Sequence, residues 1–153
     1  MRISFIVPKN HEQENLIPEN DSRVFPPLGL AKMTSIAAAG HQVRYLDERL
    51  GKVCHDPQID IAIIFINAYN RQRAYLLATN YRAWNCFVVF TGAVLEISPD
   101  DAHSMADCLF IGAGEEILPR FLQDFSKGRK RKLYGNMLNP VRSSEPSAFR
   151  LVS

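Results

Sequence analysis

Four short segments combine small, polar and acidic residues in ways that could hold a ligand: Pro27-Leu28-Gly29, Asn67-Ala68-Tyr69, Thr91-Gly92-Ala93 and Gly112-Ala113-Gly114-Glu115-Glu116. Glycine lets a backbone approach a bulky ligand closely and turn where a side chain would forbid it. Gly114 stands just before a helical pattern, and the free N–H groups of a helix N-terminus can bind a phosphate or amide oxygen. Tight turns use glycine for their own geometry too, so any one of these glycines taken alone reads as a turn residue. Small-residue turns gathered on one edge of a sheet make a groove. Glu115 and Glu116 open a helix, where the dipole alone favours acids. Asp47 and Glu48 follow a strand, the place where an acid binds ribose hydroxyls in dinucleotide folds. The glycine fingerprint that should accompany them after the first strand is missing, which argues against a nicotinamide cofactor. Asn67 stands where a phospho-accepting receiver domain carries aspartate. His11, His41, His55 and His103 are scattered and draw no Ser/His/Asp or metal-ligand pattern. The chemistry these residues offer is binding, and as an enzyme in its own right the chain is poorly equipped.

The elements that must position these turns follow from the apolar pattern. Continuous apolar runs bounded by turn residues suit strands buried on both faces, as in a parallel sheet covered by helices. Five such runs occur, at 3–7, 43–46, 61–66, 87–90 and 109–111. The first helical pattern has Pro27 near its start and Gly40 just past its end, where a left-handed cap is expected. Leu30, Met33 and Ala37 give that helix its buried stripe. Asn70 is placed to cap a second helix whose Ala74, Leu77, Ala78 and Tyr81 share one face. Ser98-Pro99-Asp100-Asp101 reads as a third helix start, with a hydroxyl cap and proline at the first position. The last helix should carry Ile117, Leu118, Phe121, Leu122 and Phe125 on its core face. Pro119 inside it is tolerable only near the first turn. Alternating strands and helices with right-handed crossovers give an α/β fold, a doubly wound Rossmann-like (flavodoxin-like) three-layer sandwich. Its five-stranded parallel sheet is expected in the order 2-1-3-4-5, with the switch point between strands one and three. The long polar loop at 8–25 lies at the ligand end of the first strand, where a loop of such length is functional or disordered.

Composition bounds the rest. A chain of 153 residues, 46% apolar and 22% charged, is an ordinary single domain with a real core. Its net charge of +2 is too small to argue for nucleic acid. The dense basic run at 127–132 reads as a solvated turn rather than a phosphate-binding patch, since no aromatic residues interleave. No apolar segment has bilayer length and the start reads as a strand, so neither a membrane span nor a signal peptide is expected. Cys54, Cys86 and Cys108 lack paired spacing and suit reduced thiols in a cytoplasmic protein. Cys86 and Cys108 open apolar runs, where a thiol behaves as a small hydrophobe. Residues 1–134 form the folded domain, and 135–153 read as a linker or frayed tail.

Taken in order, Pro-Pro-Leu-Gly-Leu at 26–30, Ala-Ala-Gly-His-Gln-Val-Arg-Tyr-Leu-Asp at 38–47, Thr91-Gly92 and Ile111-Gly112-Ala113-Gly114-Glu115-Glu116 form a familiar pattern. It resembles the N-terminal cobalamin-binding domain of cobalamin-dependent radical S-adenosylmethionine enzymes, a family that includes methyltransferases and anaerobic protoporphyrin ester cyclases. The resemblance covers 1–134. It implies a Rossmann-like domain holding cobalamin against the carboxyl edge of the sheet, with the nucleotide tail passing Gly92 and Gly112. The residues that would touch it are Pro27, Leu28, Gly29, Asn67, Ala68, Tyr69, Thr91, Gly92, Ala93, Gly112, Ala113, Gly114 and Glu115. Three departures stand out. Lys9, Asn10 and His11 do not fit the D-x-H-x-x-G spacing of methionine synthase-type domains, so no cobalt ligand is assigned. Thr91-Gly92 replaces the usual Gly-Gly after the fourth strand. No Cys-x-x-x-Cys-x-x-Cys motif is present, so S-adenosylmethionine and a [4Fe-4S] cluster belong to a radical domain supplied in cis or in trans.

Three functions therefore compete. The first is a cobalamin-binding module of a methyl-transfer or radical enzyme, either as a fragment or as a free-standing relative. The second is a nucleotide- or flavin-binding module with phosphate at the Gly114 helix start. The third is an interaction domain whose groove is a relic.

Overall fold

A computed structural model describes residues 1–10, 27–97 and 99–135. The expected loop at 8–25, His11, Ser98 and the tail beyond Gly135 lie wholly or largely outside the described residues. The elements run β1 (Arg2–Val7), α1 (Leu28–Ala38), β2 (Gln42–Asp47), β3 (Ile61–Phe65), α2 (Arg71–Ala83), β4 (Phe87–Thr91), α3 (Val94–Ile97), α4 (Asp100–Met105), β5 (Cys108–Ile111), α5 (Gly114–Ser126) and β6 (Leu133–Gly135). The five apolar runs became β1 to β5, each within a residue or two of the expected bounds. β6 is the addition. It pairs in parallel with β5, giving a six-stranded sheet in the order β2-β1-β3-β4-β5-β6 among the described residues. It ends at Gly135, one residue beyond the expected domain boundary.

Alternation along each strand sorts the core into two layers. Ile3, Phe5, Ile61, Ile63, Val89 and Phe110 pack under α1 and α5, which supply Leu30, Met33, Ala37, Leu118 and Phe121. Ile6, Ala62, Ile64, Val88, Phe90 and Leu109 pack under α2 and α4, which supply Ala74, Leu77, Ala78, Tyr81 and Ala102. Every one of these side chains is 2% exposed or less. At about 1.5–3 kcal/mol for each large apolar side chain removed from water, the two layers are what hold the sheet between its helices. Ile117, Leu122 and Phe125 are half-buried at the margin of the first layer.

The helix ends differ from expectation in instructive ways. Pro27 is the N-cap of α1. Gly40 is not among the glycines with positive φ, so the helix ends without the left-handed cap; Ala39 closes it in the right-handed region. Pro99, not Ser98, occupies the N-cap of α4. Pro119 is the sixth residue of α5, past the first turn, and has no N–H to offer the Glu115 carbonyl.

The connections do not all share one hand. β1–α1–β2 crosses the sheet one way over the α1 face, while β3–α2–β4 and β4–α4–β5 cross the other way over the opposite face. These three have the same hand. β5–α5–β6 moves in the direction of the latter two but over the α1 face, so its hand is reversed. Parallel crossovers are right-handed in all but a few per cent of cases. Here α5 is needed beside α1 to cover Val89 and Phe110, and a strand added beyond β5 then takes the rare hand.

Candidate functional site

In-register pairing brings the strand ends to a common edge: Val7 opposite Asp47, Phe65 opposite Thr91, and Ile111 opposite Gly135. The four segments singled out from sequence all lie on this carboxyl edge, where open α/β sheets bind ligands. They do not present themselves alike. Leu28, Ala68, Tyr69, Ala93, Gly112 and Ala113 are exposed; Pro27, Gly29, Asn67, Gly92 and Glu115 are half-buried; Thr91 and Gly114 are buried. Leu28 and Tyr69 expose 69% and 72% of their surface, more than any other large apolar residue described. Two exposed large apolar side chains and several small exposed residues on one edge suit a partly apolar ligand.

The glycines separate by what a side chain would meet. A β-carbon on Gly112 has nothing within 4 Å, and its φ of +111° favours glycine. The space beside it is open to a ligand. A β-carbon on Gly92 would collide with the carbonyl oxygen of Ile66. That glycine serves the close approach of the β3 and β4 exits, sealed by the Ile66 N–H donating to the Thr91 carbonyl at 2.8 Å. Gly92 therefore has a packing reason to be glycine, independent of any ligand passing it. At Gly114 a side chain would run into Met33 of α1, with the Thr91 hydroxyl 3.3 Å away, so Gly114 and Thr91 serve helix packing. The Gly114 and Glu115 N–H groups, in the first turn, have no helical acceptors. Glu115 reaches back over α1: its Oε1 would lie 3.9 Å from a β-carbon on Gly29, and Oε2 is 3.7 Å from Lys32 Nζ.

The β3–α2 turn is locked by two asparagines. Asn67 Oδ1 accepts from the Tyr69 and Asn70 N–H groups, and Asn70 Oδ1 accepts from the Asn67 N–H at 2.8 Å. Asn70 Nδ2 donates to the Phe65 carbonyl. Asn70 holds the N-cap position, yet its side chain points back into the turn and makes no capping bond. The Asn67 carboxamide oxygen thus shapes the loop that carries exposed Tyr69.

Both acids after β2 are engaged within the protein. Asp47 makes a bidentate pair with Arg49 at 2.9 and 2.7 Å. Glu48, 6% exposed, accepts from Arg73 Nε at 2.9 Å, from Arg73 Nη2 at 2.6 Å and from the Lys9 backbone N–H at 3.2 Å. His55 Nε2 lies 2.9 Å from Glu48 Oε2, and its Nδ1 lies 2.6 Å from the Tyr81 hydroxyl. Burial by itself would raise the Glu48 pKa, but bonds to Arg73, His55 and the Lys9 N–H outweigh it and hold the group at about 2. The same carboxylate raises the Arg73 pKa. Burial foremost pushes the Tyr81 phenol up as well. This cluster joins residues from 9 to 81, and nothing local in sequence signals it. An acid just past a strand, with arginine in the first turn of the next helix, is the faint trace it leaves.

Cys54 is exposed and free, while Cys86 and Cys108 are free and buried, the latter with its pKa pushed by burial to about 12. No group of three or more metal-ligating side chains and no helix long and apolar enough to cross a membrane occurs among the described residues.

No protein-family model matches the chain. Over 128 residues, 82% of its length, it is 26% identical to bacteriochlorophyllide d C-8(2)-methyltransferase of Chlorobaculum tepidum. Its fold is shared. The structure of the cobalamin-dependent S-adenosylmethionine radical enzyme OxsB with aqua-cobalamin bound superposes on 85% of this chain with a TM-score of 0.61 and 16% sequence identity. The chain spans 28% of the methyltransferase and 19% of OxsB. The expected resemblance and the Rossmann-like fold class both find their counterparts in these two proteins, each matched over a part of its length.

Proposed function

We propose that this chain is a cytoplasmic cobalamin-binding module that works with a radical S-adenosylmethionine domain, in cis or in trans, in methyl transfer or related radical chemistry. The observation that carries this reading is the open space at Gly112 on a carboxyl edge where Leu28 and Tyr69 are also exposed, on a fold shared with a cobalamin-bound enzyme. The similarity to a methyltransferase supports the reaction class.

The residues present fit the cofactor at the exposed half of the edge. Gly112 and Ala113 leave room for a ligand against the backbone, and the first-turn N–H groups of α5 offer donors. Leu28 and Tyr69 offer exposed apolar surface, and Ala68 and Ala93 are small exposed residues on the same edge. Thr91, Gly92 and Gly114 support the edge from beneath. When bound, cobalamin supplies the methyl-carrying and radical chemistry that protein side chains lack. The chain's own contribution is to bind it, orient it and shield one face.

Reconstitution of purified protein with hydroxocobalamin, followed by desalting and absorbance spectroscopy, tests this. Corrin bands retained in stoichiometric amount are expected. A protein that loses the corrin on desalting, or that instead carries a flavin spectrum as purified, contradicts the reading.

A further inference from the structure

The cluster around buried Glu48 sits at the carboxyl edge, and none of its members is among the residues proposed to touch the cofactor. Its members come from three parts of the chain. Lys9 follows β1, Glu48 follows β2, His55 lies in the 48–60 connection, and Arg73 is in the first turn of α2, after β3. One carboxylate thus ties together the exits of the strands that flank the switch point. Its hydrogen-bonding capacity is filled from within the protein, by the two Arg73 nitrogens, the Lys9 N–H and His55 Nε2. A bidentate arginine–carboxylate pair fixes orientation as well as distance. The Tyr81 hydroxyl behind His55 extends the tie along α2, where the Tyr81 ring stands edge-on to Trp84.

We infer that Glu48 is a positioning residue for the cofactor site: it holds the exits of β1 and β2 and the start of α2 in one arrangement, so that the edge is formed before the ligand arrives. The inference rests on the cobalamin reading above. A preformed site spares the ligand the cost of ordering its own contacts, and without Glu48 that ordering is charged against affinity. A cluster serving stability alone would leave the affinity of still-folded variants untouched.

The test uses the full chain in three versions: parent, Glu48→Gln, and Glu48→Gln with Arg73→Gln. The double variant removes the guanidinium that the single change would strand in a buried site, and so keeps the test alive should the single variant fail to fold. Circular dichroism sets a temperature at which each version is folded. Amide hydrogen exchange at Lys9 is compared with exchange at Ile63, in the middle of β3, and hydroxocobalamin is titrated by absorbance. Exchange at Lys9 should quicken roughly tenfold beyond any change at Ile63, and the dissociation constant should rise about tenfold or more. Folded variants that bind hydroxocobalamin like the parent, or that keep the parent's Lys9 exchange, overturn the inference. A parent that does not bind defeats the cobalamin reading itself and takes the inference with it, a failure recognisable because it is already present before any substitution.

Discussion

A methyl group on Gly112 would project into open space, while one on Gly92 would strike the Ile66 carbonyl. The two turns look alike in sequence, because what distinguishes them is a neighbour brought in by β3. Gly92→Ala should therefore cost about 3 kcal/mol or more in urea unfolding, through a backbone clash at a φ that already disfavours alanine. A loss below about 1 kcal/mol would show that the β3 and β4 exits part easily. Glu48 gives the second prediction at this scale. Its pKa is about 2 in the folded protein against an ordinary 4.5. A lowered carboxylate pKa means stability that is present above 4.5 and is lost as pH falls through 2. With about 1.4 kcal/mol for each pH unit of displacement, the term is on the order of 3 kcal/mol. Denaturant titrations of parent and Glu48→Gln should differ most above pH 5 and converge towards pH 2. A difference independent of pH would contradict the ionised, hydrogen-bonded carboxylate.

The β3–α2 turn shows how one element delivers a site residue. Tyr69 stands out at the rim because its N–H is held by Asn67, and Asn67 is held by Asn70, whose side chain is fully buried. Replacing Asn70 with Ala leaves the Asn67 N–H and the Phe65 carbonyl without their partners, which should cost about 2–3 kcal/mol and quicken exchange at Asn67 and Tyr69. An unchanged melting temperature would mean that water fills the gap without loss. Asn70 was legible as a residue at a helix start, since Asn before an Ala/Leu/Tyr stripe is a common cap. Its actual bonds were not legible, because they depend on where Phe65 ends β3. Strand β6 was legible only as the apolar pair Leu133-Tyr134. Three residues behind a basic run carry too little periodicity to mark a strand, and what makes one is the pairing of Leu109, Phe110 and Ile111 with Leu133, Tyr134 and Gly135.

At the scale of the whole molecule, the alternation of apolar runs with helical stripes marked a parallel sheet covered by helices, and the order of the first five strands, taken from what five-stranded folds of this class favour, is the one observed. Buried parallel strands must read as continuous apolar runs, and the helices between them must be amphipathic. The reversed hand of β5–α5–β6 was not readable, because a stripe such as Leu118 and Phe121 names a buried face without naming which side of the sheet it covers. The carboxyl-edge site was readable as a place, from turns that follow strands, and only in part as contacts. Thr91 and Gly114 are buried and Gly92 is half-buried against Ile66, whereas Gly112, Ala113, Leu28 and Tyr69 are exposed, and the proposed cofactor site lies on the exposed set. A matched pair of substitutions tests that claim most directly. Gly112 and Gly128 both have positive φ, +111° and +71°, and both have open space where a side chain would go. Alanine at Gly128, in the left-handed region, should cost about 1 kcal/mol, and alanine at Gly112, outside it, more, so both variants are compared at a temperature where each is folded. Gly112 lies on the carboxyl edge, whereas Gly128 follows α5 at the opposite edge. Hydroxocobalamin titrated against both variants should bind Gly128→Ala like the parent and Gly112→Ala about tenfold more weakly. Equal affinity for the two variants would contradict the placement of cobalamin at Gly112.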